Sequence, residues 1–140
     1  MKLVVILFSL VVGLAVQAKN DVQKRTVAQE AVTCASGGID EIVKQVKAAG
    51  SCFDAGKIAE NCAMGSSADT QIAGSATAKC EADMGKLTTS DSKLYKTLTA
   101  RCAKVCNPRN DGTLCLSNIS FCNLGAAKFM YLVVSSNAPN

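Results

Sequence analysis

Eight cysteines are the residues of this 140-residue chain whose type and number point most directly to a chemistry. They are Cys34, Cys52, Cys62, Cys80, Cys102, Cys106, Cys115 and Cys122. A cysteine can hold a metal, attack a substrate or close a disulfide, and its surroundings decide which. Zinc is poorly served, because the chain has no histidine and no C-x2-C pair. The Ser-His-Asp and Cys-His arrangements of nucleophilic catalysis are excluded for the same want of histidine. Two carboxylate pairs remain, Asp40-Glu41 and Glu81/Asp83. Neighbours at i, i+1 or i, i+2 on a helix point in different directions, so neither pair forms an acid/base couple. No glycine-rich loop sits in a strand–helix unit to cradle phosphates. No catalytic residue, metal or cofactor is expected.

The N-terminus favours the disulfide reading. Lys2 precedes an almost wholly apolar run over residues 3–16, which ends in Ala15-Val16-Gln17-Ala18. That is the pattern of a cleaved signal peptide over 1–18, too short to span a bilayer comfortably. The expectation is a secreted, extracellular protein with one disulfide-rich domain over 19–140. The dibasic pair Lys24-Arg25 offers a processing site that would remove 19–25 as a short pro-segment. In an oxidising compartment, eight cysteines most simply make four disulfides.

The elements that position these cysteines read as helices. Glycines punctuate the chain, and the apolar residues between them recur at helical spacing. Six segments are predicted, at about 21–35, 40–49, 51–64, 68–84, 91–106 and 113–134. Ser51 with Asp54 three residues on makes a capping box for the third. Ser66 or Ser67 would cap the fourth, and Thr89 or Ser90 the fifth. Pro108 forbids continuation of the fifth, and 107–112 reads as a turn. The fifth should bury Leu94, Leu98, Cys102 and Val105, and the sixth Cys115, Ile119, Cys122, Ala126, Phe129 and Val133. The fold expected is all-α: a small disulfide-stapled bundle of about six helices. Asn118, Asn123 and Lys128 make the last segment too polar for a membrane span.

Helix geometry narrows the pairing. Cys52 and Cys62 on one helix would stand about 15 Å apart, and Cys115 and Cys122 about 10 Å. Both exceed the ~7 Å reach of a disulfide. An up-and-down arrangement favours Cys34–Cys62, Cys52–Cys80, Cys102–Cys122 and Cys106–Cys115. That is one set among on the order of a hundred, with bridges from the 102–122 hairpin to Cys34 or Cys62 as the main rival.

Three surfaces remain as binding candidates. Lys93, Lys96, Arg101 and Lys104 make a basic face on the fifth helix that suits an anionic surface, or serves only as its solvated side. The balance of charge agrees: residues 19–85 carry seven basic and nine acidic side chains, and 86–140 carry seven and two. Leu94, Tyr95, Leu98, Phe121, Leu124, Phe129, Met130 and Tyr131 are candidates for a pocket holding a small apolar ligand, or equally for core. Asn118-Ile119-Ser120 is the chain's one N-glycosylation pattern. Aromatic residues are too few and the charge too modest to support nucleic-acid binding.

Cys102-x3-Cys106 and the eight-residue gap to Cys115 resemble spacings in insect odorant-binding-like carriers. There the two occur in separate parts of the pattern, and the other gaps differ, so no family follows. The function expected is non-catalytic binding to a macromolecular or surface partner. A small hydrophobic-ligand carrier and a membrane-active, defence- or toxin-like protein are the alternatives.

Overall fold

Helices form here where apolar spacing, a capping side chain and a stop signal coincide. A computed structural model describes residues 32–137. It is all-α, with five helices and no strand among the described residues: α1 Ile39–Lys47, α2 Cys52–Asn61, α3 Ala68–Met84, α4 Thr89–Cys102 and α5 Pro108–Ser136. The expected signal peptide over 1–18, Lys24-Arg25 and most of the first predicted helix lie outside the described residues.

In α1, Asp40 and Glu41 open the helix and Lys44 and Lys47 close it, each sign matching its end of the dipole. Ile42 and Val46 form its buried stripe. The Ser51 side chain caps α2, accepting from the Asp54 N–H at 3.2 Å and donating to its carboxylate at 2.7 Å. The buried residues of α3 are mostly small: Ala68, Ala73, Ala76 and Cys80 beside Ile72 and Met84. Neighbouring backbones can therefore approach it closely, and α1, α2 and α5 all pack against α3. Space is equally tight between α2 and α5, where a Cβ on Gly56 would stand 3.0 Å from Lys128 Cδ. The core joins Ile42, Val46, Ala55, Ala59, Ile72 and Met84 to Leu124, Ala127 and Met130 of α5. Phe53 meets Tyr131 edge-on, their ring centroids 5.5 Å apart. α4 is peripheral and packs on α5.

Four disulfides staple the helices. Cys34 bonds Cys62 and Cys52 bonds Cys80, with Cα–Cα distances of 5.6 and 4.3 Å. Cys102 bonds Cys122 and Cys106 bonds Cys115, at 5.4 and 5.7 Å. On the chain-entropy account, each 28-residue closure is worth about 3.5 kcal/mol and the 9-residue one about 2.5 kcal/mol. No cysteine is free, so the folded chain belongs to an oxidising environment. The first two bonds interlace within 34–80, Cys106–Cys115 is nested inside Cys102–Cys122, and none joins the two regions.

Several sequence expectations are corrected. Residues 32–35 are not helical. The Gln45 side chain ties this segment to α1, accepting from the Ala35 N–H at 3.0 Å and donating to the Thr33 carbonyl at 2.8 Å. The helix expected over 91–106 ends at Cys102, and 103–106 turn so that Cys106 can reach Cys115. Its cap is Thr88, whose hydroxyl accepts from the Asp91 N–H at 3.1 Å. The predicted turn at 107–112 contains a helical turn: Asn107 caps it and Gly112, at φ 59°, breaks it before the long run of α5. That positive φ is costly for a residue with a Cβ, so glycine belongs at this bend. The stripe that α5 buries in the core is Leu124, Ala127 and Met130, and Phe129 is on the surface.

Candidate functional site

Helix α5 is apolar around most of its circumference, and only part of that circumference is covered. Its length and composition from Asp111 to Ser136 would suffice to cross a membrane, yet one side is packed in the bundle and much of the stretch is not buried. Leu114, Leu116, Phe129 and Leu132 remain exposed on it.

The uncovered side meets α4. Cys102 is bonded to Cys122, and the five-residue connection returns the chain antiparallel, so α4 residues 98–102 lie along α5 residues 122–129. The seam is an open groove of about 400 Å³, lined by Leu98, Arg101, Val105, Gly125, Ala126, Phe129 and the Cys102–Cys122 disulfide. Its floor is almost wholly apolar, and Arg101 is its one charged side chain. Lys93, Lys96 and Lys104 are exposed nearby on α4 and the turn that follows it. Among the described residues, none of these four basic groups makes a salt bridge, whereas Lys128 reaches Glu60 at 2.6 Å.

The eight candidate pocket residues are not brought into one chamber. Leu124 and Met130 are fully buried in the core. Tyr95, Leu98, Phe121 and Tyr131 are partly buried against it. Leu94 and Phe129 face outward, with Phe129 on the open groove. The carboxylates are dispersed too. Glu41 pairs with Lys44, Asp83 with Lys79, and Glu81 accepts the Tyr95 hydroxyl at 2.7 Å. Burial, then this hydrogen bond and the charge of Glu81, push the Tyr95 phenol well above its ordinary range.

Two features escaped the sequence reading. Asp69, 2% exposed, accepts from the Met64 and Ser66 N–H groups at 2.7 and 3.3 Å and from the Ser117 hydroxyl at 3.1 Å. It ties the loop before α3 to α5. The only sequence hint was an acid in the first turn of a helix, which normally means an exposed dipole partner. The other is the trio Cys106, Asp111 and Cys115, whose ligand atoms lie within 4.8 Å of one another. The two sulfurs are bonded together, so they offer no thiolate to an ion. Asp111 instead accepts the Asn107 N–H at 3.0 Å.

Asn118 is exposed on α5, and Ser120 of the same motif bonds back to the Leu116 carbonyl at 2.9 Å. The chain is thus an all-α, disulfide-stapled bundle with an apolar groove beside a basic helix face. Comparison with models of protein families, with curated proteins and with solved structures finds no match.

Proposed function

We propose that the chain is exported with loss of residues 1–18 and acts without catalysis as a binding protein, using the α4–α5 face to contact a macromolecular or surface partner. One observation carries this reading: an apolar surface that no other described residue covers. Val105, Phe129 and Leu132 stay 54%, 49% and 51% exposed while Leu124 and Met130 of the same hairpin are fully buried. Contiguous exposed apolar area on a soluble protein marks an interaction site more often than chance placement. Asn118 stands one helical turn from Cys122, so a glycan attached there would flank the groove.

A second reading has some support. The groove's volume of about 400 Å³ falls within the range of small-ligand sites, so a small apolar ligand could lie along the seam.

The test uses 1-anilinonaphthalene-8-sulfonate, an anionic apolar dye that suits a greasy floor with an arginine at its edge. Its fluorescence should rise on the oxidised protein and fall to near background in Phe129→Ser/Leu132→Ser. A response unchanged in that variant would end the assignment of this face.

A further inference from the structure

We propose that the α4–α5 face docks on an anionic lipid surface, with Val105, Phe129 and Leu132 entering the interface and Arg101 and Lys104 meeting headgroup phosphates; this rests on reading that face as a binding surface. The first argument is shape. Leu114, Phe121, Gly125, Phe129 and Leu132 follow one another at seven, four, four and three residues along one flank of α5, a line of about 27 Å on which Phe121 is partly packed against the core and Leu114, Phe129 and Leu132 are exposed. Such a line is longer than a small ligand needs and suits a plane. The second is composition: α5 as a whole is apolar enough for hydrocarbon, and Leu114, Leu116, Phe129 and Leu132 are the large apolar groups it shows to solvent.

The third argument is charge. Residues 86–140 carry seven basic side chains and two acidic ones. Both acids are engaged at helix starts: Asp91 accepts the Thr88 hydroxyl at 2.6 Å, and Asp111 accepts the Asn107 N–H. A second copy pressing the same face onto this one would therefore set seven basic groups against seven, with only two carboxylates on each side to answer them. Anionic headgroups answer it directly, and the neighbouring apolar groups gain by leaving water.

The chain has no tryptophan, so one placed at Phe129 reports from that position alone. Phe129→Trp is compared with Lys44→Trp, on an exposed site of α1, a helix that does not pack on α5. Oxidised, exported protein is mixed with vesicles of equal phosphatidylcholine and phosphatidylglycerol, or of phosphatidylcholine alone. The expected result is co-sedimentation with the anionic vesicles only, weakened by salt, and a blue shift at position 129 but not at 44. Arg101→Glu/Lys104→Glu should lower the bound fraction by at least about tenfold. Phe129→Ser/Leu132→Ser, with its circular dichroism unchanged, should abolish binding. Equal capture by neutral vesicles, or a blue shift at both positions, would overturn the lipid assignment. So would no capture at all: if dye binding still depends on Phe129, the face binds something other than lipid. If the wild type is instead a dimer that the serine variant dissolves, the face pairs with itself. Loss of the dye dependence as well would remove the binding surface altogether.

Discussion

Residues 34–85 and residues 86–136 are each closed by two disulfides, yet they dispose of their apolar side chains in opposite ways. In the first region α1, α2 and α3 turn Ile42, Val46, Ala55, Ile72 and Met84 inward around a small-residue helix. In the second, a two-helix hairpin has only one layer behind it, and Leu94, Val105, Leu114, Phe129 and Leu132 stay outside. Two helices cannot enclose a core by themselves. The hairpin borrows one from α2 and α3 through a single face of α5, and no other described residue covers its other face. Covalent closure therefore does not decide burial. The disulfides shorten the unfolded chain in both regions, but only layers of side chains remove apolar area from water.

The sharpest challenge to this contrast is to truncate one α5 residue on each face. Leu124→Ala should cost about 3 kcal/mol in urea denaturation, because Leu124 is fully buried. Phe129→Ser, only a turn and a half further along, should stay within about 0.5 kcal/mol of wild type. Comparable losses at both would mean that the outer face is covered after all. Asp69→Ala tests the seam between the two regions. It strips two backbone N–H groups and the Ser117 hydroxyl of their acceptor and should destabilise by about 2 kcal/mol. A neutral result would show that the regions are held by apolar packing alone. The smallest destabilisation belongs to Tyr95. Its phenol is raised in the fold, so its contribution is complete below the ordinary value of about 10 and is lost as pH climbs above it. Wild type should therefore lose stability faster than Tyr95→Phe above about pH 10, while near neutrality the variant should be weaker by about 1 kcal/mol for the missing hydrogen bond. Parallel curves across that window would remove the Glu81 link from the account.

Much of the fold was legible because its signals are local. Ser51 and Asp54 announce α2 through a hydrogen bond three residues long, and the alanine- and serine-rich run of α3 announces a helix that neighbours can approach closely. The bounds of α4 were less so. Thr88, Thr89 and Ser90 are all competent caps, and only the packed helix selects Thr88. The groove was half legible. The basic residues were visible as a face, and Leu98 and Phe129 as apolar candidates, but which of them would meet solvent was not. Helical periodicity locates a buried stripe by contrast with a polar one. α5 has too little polar contrast to point in one direction.

What the residues determined alone is therefore local and covalent. The spacing of apolar groups and caps makes helices. The absence of histidine and C-x2-C pairs withholds the usual catalytic and zinc arrangements. Rigid helices of known rise keep Cys52 from Cys62 and Cys115 from Cys122. The tertiary structure alone decided which side of α5 faces α3, that Asp69 is buried rather than exposed, and that Gln45 pins residues 33–35. Each of these depends on which surfaces compete for the same neighbour. That competition is settled by packing volume and hydrogen bonds between segments up to 68 residues apart, beyond any local pattern.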